Sequence, residues 1–260
     1  MARHMDAWMD GVKLADVGAI LIQQVDESPA EMEITYGTRP IRPGSDVLQN
    51  KRKSLKVTLT CAIREIKDLK VRTHILQRMA AWASGSVLEL SNHPDQQLHV
   101  RCKAFPALGS VRDYTSEIKI ELEAAEFPYW EDTVPMEWTA SSSASGSKSI
   151  IIPGTAQSPV TFRFAPSGAM SNGTLTVTAT GGGVTKQIAL SGLNVSSGAV
   201  LELGPDSMDR FLIHAGTSNY LSCRSMESAD DLVLPAGIAT VSWTSSVAGA
   251  VGIHVRGRWL

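Results

Sequence analysis

The stretch SLKVTLTCAI, residues 54–63, decides the fold class of this chain. Apolar side chains take every second position in it, namely Leu55, Val57, Leu59, Cys61 and Ile63. A period of two predicts a β-strand that buries one face, because successive side chains in a strand point to opposite sides. Such alternation is typical of antiparallel sheets with one covered face.

The same alternation recurs on both sides of this stretch. Further strands are predicted at Ala19–Val25 and Glu31–Tyr36, and through two alternating sets: Leu98, Val100, Cys102, Ala104 and Ile118, Ile120, Leu122, Ala124. One helix is predicted from about Lys67 to Ala83, where apolar residues form a stripe consisting of Leu69, Ile75, Leu76, Met79, Ala80 and Ala83. Gly85 is expected to end it in a left-handed conformation.

The chain changes character near Pro135. A Ser/Ala/Gly stretch from Thr139 to Ser149 precedes a region rich in Thr, Val, Ser and Gly. Short strands are predicted there, separated by turns, with a hairpin at residues 181–183 and further strands around Leu221, at 238–243 and at 251–259. We therefore predict an N-terminal domain at 1–134, a linker at 135–149 and a C-terminal β-sandwich of jelly-roll type at 150–260. A chain of 260 residues is long enough for two such cores.

A long connection separates the second and third predicted strands. It runs from Thr38 to Lys53 and ends in the basic run Lys51, Arg52, Lys53. Connections of this length are uncommon between adjacent antiparallel strands. Two interpretations remain open: a solvated, mobile hairpin tip, or an arm that reaches a neighbouring subunit or lines a pore.

Composition excludes several classes of function. The net charge of -2 and the pI of 6.3 give no general attraction to nucleic acid or anionic membranes. Three widely spaced Cys do not form a disulfide framework, which favours folding in reducing cytosol. The N-terminus does not resemble a secretion signal, and no apolar run approaches the roughly 20 residues of a membrane span.

The sequence also lacks a recognisable catalytic set. None of the six His residues has the spacing of a zinc site. Paired carboxylates lie on predicted solvent faces or turns, without the sugar-stacking aromatics that a glycosidase cleft needs. The Ser-rich segments contain no Gly-x-Ser-x-Gly elbow. We predict a protein that is not an enzyme, with no catalytic residues, no metal site and no cofactor.

The order of these segments resembles a known family. The stretches that carry the resemblance are Asp10-Gly11-Val12, the strand 53–63 followed by the helix 67–83, residues 86–90, the turn 92–95, the strands 99–105 and 117–126, Phe127-Pro128-Tyr129-Trp130, and Leu234-Pro235-Ala236-Gly237 before Thr240-Val241-Ser242-Trp243. Together they resemble the distal tail protein (Dit) family, the baseplate hub of siphophages.

The resemblance implies a mainly-β fold. The N-terminal part would be an antiparallel β-sandwich or split barrel with one helix, like tail-tube proteins, and the C-terminal part a galectin-like jelly-roll. The resemblance also implies a structural hub in the virion, at the phage tail tip, assembled in the host cytoplasm. Implied partners are other copies in a hexameric ring, the tail tube protein, and a tail-associated lysin, tail fibre or receptor-binding protein, with DNA only as passing cargo.

The resemblance and the basic loop together give a hypothesis for the assembly surface. A ring uses a head-to-tail interface that closes by rotation. We expect the subunit or tube contact at the loop and the strand that follows it, through Arg39, Arg42, Lys51, Arg52, Lys53, Thr58 and Thr60. Thr58 and Thr60 belong to a strand whose outer face could continue a sheet between subunits.

Three alternatives remain. A carbohydrate-binding module for host cell-wall sugar would require exposed aromatic residues clustered on one sheet, although aromatic content is only 6%. Another tail-tube subunit would resemble the first domain alone. A peptidoglycan hydrolase would need the catalytic set that the sequence does not contain.

Overall fold

A computed structural model describes residues 5–18, 20–29, 31–38, 45–63, 68–106, 117–206 and 209–260. Strands dominate it, which confirms the predicted mainly-β class. The chain forms two compact units: unit 1 is Met1–Glu131 with Leu260, and unit 2 is Asp132–Trp259.

Unit 1 is built from short strands and two helices. Its elements are β1 (Ala7–Met9), β2 (Val12–Lys13), α1 (Leu14–Val17), β3 (Ile20–Ser28), β4 (Met32–Thr38), β5 (Ser45–Arg52), β6 (Leu55–Ile63), α2 (Leu69–Ala83), β7 (Val87–Leu90), β8 (Gln96–His99), β9 (Arg101–Ala104), β10 (Ile118–Ala124) and β11 (Trp130–Asp132). One sheet has the order β3-β6-β10-β9, another contains β2-β1-β7-β8-β11, and β4 pairs with β5 in a sheet of two strands.

Strand β6 lies inside the four-stranded sheet, and its alternating apolar residues form the core of unit 1. All five apolar positions predicted from the sequence are buried, and so are the four on the neighbouring strand β10. The two strands pair antiparallel in unbroken register from Leu55 opposite Ala124 to Cys61 opposite Ile118. The prediction from alternation is confirmed for both strands.

Helix α2 confirms the predicted helix and buries most of the predicted stripe, namely Ile75, Leu76, Met79 and Ala83. The Asp68 carboxylate caps its start by accepting from the backbone N–H of Lys70 and Val71. Leu69, expected on the buried stripe, is exposed, whereas Arg72 and Trp82 are buried. The Trp82 indole N–H donates to the carbonyl of Val12 at 2.7 Å, a partner that lies 70 residues away and that helical periodicity could not indicate.

Gly85 follows the helix for a reason other than the one predicted. It is not among the residues with a left-handed backbone. A Cβ at this position would lie 2.4 Å from both the Asp10 carboxylate and the Met9 side chain. Asp10 accepts from the backbone N–H groups of Ser86 and Val87, so the close approach of the β1–β2 turn requires glycine here.

The single strand predicted through Leu98 and Ala104 is in fact two. Strand β8 pairs with β7, whereas β9 lies at the edge of the four-stranded sheet beside β10. Leu98 and Val100 are buried as expected, but Cys102 is half-buried and Ala104 is exposed. An edge strand is covered less, so the alternating pattern there does not mark burial.

Unit 2 consists almost entirely of strands. Its elements are β12 (Met136–Ile152), β13 (Ser158–Pro166), β14 (Met170–Gly181), β15 (Val184–Val195), β16 (Leu201–Pro205), β17 (Phe211–Ala215), β18 (Ser218–Asn219), a 3-10 helix (Leu221–Cys223), β19 (Val233–Leu234), β20 (Gly237–Val255) and β21 (Arg258–Trp259). The main sheet has the order β15-β14-β20-β13-β16-β17-β18, with β12 bonded to β20 and β19 to β13.

The predicted linker at 135–149 is wrong, because this stretch is strand. Strand β12 covers almost all of it and pairs antiparallel with β20 from Met136 opposite Val255 to Ile152 opposite Gly237. The two strands predicted at 238–243 and 251–259 are one continuous β20 that extends to Val255. Ser, Ala and Gly are weak strand formers, so pairing with β20 rather than local propensity makes this segment extended.

The hairpin between β14 and β15 confirms the prediction from the Gly triplet. Gly182 and Gly183 both have positive φ, +55° and +78°, as the two central residues of a type I′ turn require. The strand predicted around Leu221 is instead the 3-10 helix.

The C-terminal segment up to Trp259 belongs to unit 2. The carbonyl of Arg258 accepts from the backbone N–H of Thr155 and of Ala156, both at 2.9 Å. The Asp132 carboxylate accepts from the backbone N–H of Gly257 at 3.1 Å and from the Trp259 indole at 2.8 Å.

Candidate assembly surface

The hairpin β4–β5 forms an arm within unit 1. Its two strands pair with each other from Met32 opposite Arg52 to Thr38 opposite Ser45, and with no other strand of the described chain. Residues 31–36 are exposed on both faces of the hairpin. The arm therefore packs little of its described surface against its own chain.

The segment from Thr38 to Lys53, predicted as a long connection, therefore contains a strand. Half of it is strand β5, which has no period-two pattern and is extended because it pairs with β4. Arg39 and Arg42 lie outside the described residues, as does the side chain of Lys51.

The basic residues at the base of the arm have partners inside the chain. The guanidinium of Arg52 lies 5.9 Å from the ring centroid of Tyr129. The Lys53 backbone N–H donates to the Glu31 carbonyl at 2.8 Å, and the Lys53 ammonium lies 3.4 Å from the Glu31 carboxylate. The contacts between Lys53 and Glu31 hold the two ends of the hairpin together.

An apolar row lies further along the arm. Met32, Ile34 and Tyr36 alternate along β4 and are all exposed, Tyr36 by 61%. Their period-two spacing is visible in the sequence and is typical of a core face, yet the described chain does not cover them. Exposed apolar rows of this kind mark surfaces that other molecules cover.

Thr58 and Thr60 do not lie at a sheet edge. Strand β6, which carries them, is bonded to β3 on one side and β10 on the other, so its backbone cannot receive a strand from another subunit. Thr60 is only 7% exposed, and Thr58 is half-buried. The edges of this sheet are instead β3, which has one further bridge from Met5 to Ile22, and β9.

The polar face of the four-stranded sheet carries charges of both signs. Lys103 lies 3.4 Å from Glu123, and Arg101 lies 2.6 Å from Glu126, both near the β9 edge. These pairs are largely exposed, and each contributes little to the free energy of unfolding. The face has no single dominant charge.

A histidine clamp holds the far end of β3. The His93 ring stacks on Trp130 with centroids 4.0 Å apart, and its Nε2 lies 2.8 Å from the Glu27 carboxylate. His93 Nδ1 faces the Gln96 side-chain oxygen at 3.2 Å, and the Asn92 amide donates to Glu27 at 2.8 Å. Both ring nitrogens face acceptors, an arrangement that the doubly protonated ring satisfies.

The clamp changes the pKa of both His93 and Glu27. The hydrogen bond to Glu27 raises the pKa of His93, against the opposing effect of burial. Burial by itself raises the pKa of Glu27, but the hydrogen bonds from His93 and Asn92 and the charge of His93 outweigh it and lower that pKa.

We expect the clamp to stabilise unit 1 mainly between pH 4.5 and pH 6.5, the ordinary pKa values of the two groups. The His93 contribution is complete below 6.5 and is lost as the pH rises through the raised pKa. The Glu27 contribution is lost as the pH falls below 4.5 through the lowered pKa. Chemical denaturation of the native chain and of Glu27→Gln should therefore show a larger stability difference at about pH 5.5 than at about pH 8.5.

The exposed substitution Glu227→Gln in unit 2 is the control, and it should change stability little at either pH. A Glu27→Gln difference that stays constant from acid to alkaline pH would contradict the clamp.

The described residues contain no group of three or more His, Cys, Asp or Glu side chains placed to hold a metal ion. Burial raises the pKa of the Cys61 thiol to about 12, so it remains protonated at neutral pH. Over the same parts of the chain, no helix has both the length and the apolar character needed to cross a membrane.

Comparison with known proteins gives matches of structure alone. No protein-family model matches the chain, and neither does any curated protein. The crystal structure of Dit from phage SPP1, described as a paradigm of the hub adsorption apparatus in phages that infect Gram-positive bacteria, superimposes with a TM-score of 0.68 at 14% identity. The match covers 98% of this chain and 99% of that one. The chain has the fold of a Dit protein.

A chain of the phage P2 baseplate in its activated conformation with Ca is also similar. It has a TM-score of 0.50 and 8% identity, and the match covers 99% of this chain and 98% of that one. The predicted resemblance to Dit proteins is thus confirmed at the level of fold.

Sequence reasoning missed the two features that matter most on this surface. The apolar row of β4 is visible as alternation, but alternation alone does not indicate that the described chain leaves it exposed. The free edges β3 and β9 had no sequence signal, because whether a strand lies at an edge depends on which strands pair.

Proposed function

We propose that this chain is a structural subunit of a phage tail tip, which closes with copies of itself into a hexameric ring. One observation carries the proposal: the fold matches SPP1 Dit from end to end, through both units. The ring would join the tail tube to the host-recognition apparatus.

The arm supports a contact between subunits. A two-stranded hairpin is at best marginally stable alone in water. This one also exposes Met32, Ile34 and Tyr36, whose burial is favourable. A neighbouring copy that covers the apolar row would supply the missing packing, so we assign the arm to the ring interface.

The edges of the four-stranded sheet support closure. Strands β3 and β9 lie at opposite ends of the strand order, and each has a side that is largely free of partners within the described chain. An edge that meets a different edge on the next copy forms a head-to-tail contact, which can close by rotation. We propose that unit 1 forms the ring in this way and that unit 2 is a galectin-like sandwich.

The proposed role is to connect the tail tube to the host-recognition apparatus, without catalysis. Its partners would be the tail tube protein and a tail-associated lysin, tail fibre or receptor-binding protein, in the virion. The balanced charges on the polar face of the β3-β6-β10-β9 sheet suit DNA as passing cargo rather than as a bound ligand.

Negative-stain electron microscopy of the purified chain tests the proposal. We expect closed, discrete rings, because a head-to-tail contact with the right rotation ends when the last copy meets the first. Open filaments would instead favour a tube subunit. Isolated particles that bind cell-wall glycan would favour the carbohydrate-binding alternative, although every described aromatic side chain of unit 2 is at least half-buried.

A further inference from the structure

Strand β12 presents a free sheet edge in unit 2. It pairs with β20 along one side, and no other strand of the described chain bonds to its second side. Its backbone N–H and C=O groups on that side can pair with another chain, as at any uncovered edge.

The second half of β12 is regular and rigidly held. From Ser145 opposite Thr244 to Ile152 opposite Gly237 the register is unbroken, and the irregular positions all lie before Ser145. Ile150 and Ile152 are each only 1% exposed, so slipping by one residue would expose them. The free edge from Ser145 to Ile152 is therefore already in the conformation that a new strand needs.

This edge has only part of the usual protection: Lys148 supplies one charge, on the side of the strand opposite the exposed serines. Natural edge strands carry charges, Pro, bulges or covering loops that prevent pairing with other chains. Between Ser145 and Ile152 the only charged residue is Lys148, and no Pro is present. The outward side chains Ser145, Ser147 and Ser149 are small and exposed, so they leave room beside the backbone.

The sheet face beside the edge contains no charged residue across three strands. Its outward side chains are hydroxyls in three rows across β12, β20 and β14: Ser145, Thr244, Thr176; Ser147, Ser242, Thr178; and Ser149, Thr240, Thr180. A fourth row adds Ile151 and Ile238, which face each other and are 59% and 76% exposed. Depletion of charge is typical of the centre of a protein interface.

We propose that the edge from Ser145 to Ile152 accepts an extended, uncharged segment of another polypeptide as an added β-strand. Backbone hydrogen bonds to the free edge hold the segment, and one of its apolar side chains packs on Ile151 and Ile238. The proposal does not depend on ring formation.

The area available favours a flexible segment over a second copy of this chain. Two rigid sandwiches that meet only along eight residues of edge would bury far less than the roughly 1,200–2,000 Å² of a stable specific interface. An extended segment follows the edge and also lays a side chain on the isoleucine pair, without requiring two folded surfaces to fit.

Binding of a synthetic peptide to the full-length chain tests this proposal. The probe has the sequence of residues 237–244, GIATVSWT, with a fluorophore at its C-terminus, because these residues already pair with Ser145–Ile152 on the other side. We expect saturable binding by fluorescence anisotropy, and slower amide hydrogen exchange at residues 145–152. The double variant Ser149→Lys with Ile151→Lys should weaken binding by about tenfold or more.

The matched control is Thr185→Lys, which places a charge on β15, at the opposite end of the sheet order from β12. It should leave the affinity within about twofold. Circular dichroism verifies that both variants remain folded, which we expect because all three positions are exposed.

Three results would overturn the proposal. The first is the absence of binding, or binding with no change in exchange at residues 145–152. The second is an equal loss of affinity in Thr185→Lys, which would indicate binding to the face rather than the edge. The third is protection of residues 145–152 in the free chain that disappears on dilution, which would show that a second copy covers the edge.

Discussion

Replacing Met32, Ile34 and Tyr36 together with serine should convert the proposed ring into single chains. The three side chains form the exposed apolar row of β4, and nothing in the described chain covers them. If a neighbouring copy buries them, truncation of each anchor costs about 2 kcal/mol or more of the association free energy. Repeated at every contact around the ring, that loss would disassemble it at micromolar concentration.

Size-exclusion chromatography with light scattering measures this result. The melting temperature of unit 1 should change little, because the removed side chains are not part of its core. Val200→Ser is the control, since it removes an exposed aliphatic side chain from unit 2, outside both proposed contact surfaces. A triple variant that elutes as the native assembly does would remove the arm from the ring interface.

Gly146→Val should strongly destabilise unit 2. A Cβ at this position would lie 2.5 Å from the buried Trp243 ring, which Gly146 faces across the β12–β20 pair. No rotamer of valine avoids this overlap, because the Cβ position is fixed by the backbone. Overpacking of this kind lowers the free energy of unfolding by about 1–3 kcal/mol. We expect a value near the upper end of that range, because the Trp243 ring is buried and rigid.

Thermal and urea denaturation measure the effect. Ser147→Val is the neighbouring control: its side chain points outward and is exposed, so the free energy of unfolding should change by about 0.5 kcal/mol or less. If the segment behaved as the linker that its composition indicates, both variants would be equally harmless.

The sequence predicted the elements whose structure is determined by their own residues. Strands β6 and β10 bury every apolar position that alternation indicates. The β14–β15 hairpin was predictable because Gly182 and Gly183 supply the positive φ that the turn requires. The start and end of α2 were close to those expected, since Asp68 caps the helix locally.

Elements imposed by a distant partner could not be predicted in this way. Strand β5 has no alternation and is held by β4, and β12 has the composition of a linker and is held by β20. Each pairing depends on the partner strand, and the residues within β5 or β12 do not indicate it.

The interface residues expected from the sequence stay a prediction, and the structure shows what some of them contact within the chain. Basic residues drew the hypothesis to the end of the loop, yet Arg52 contacts Tyr129 and Lys53 contacts Glu31 within the chain. That this hairpin reaches a neighbouring subunit, one of the two interpretations of the sequence, stays a prediction. Whether an alternating row is buried or exposed depends on the neighbouring elements, so the apolar row of β4 could not be distinguished from a core face.

The mass of the purified chain in solution tests the central claim most directly. Multi-angle light scattering across a range of micromolar concentrations should give six times the chain mass of 27.9 kDa, with no larger species, because a closed ring has no free contact left to extend. A mass of 27.9 kDa at every concentration, or one that grows without limit, would contradict a closed ring of copies.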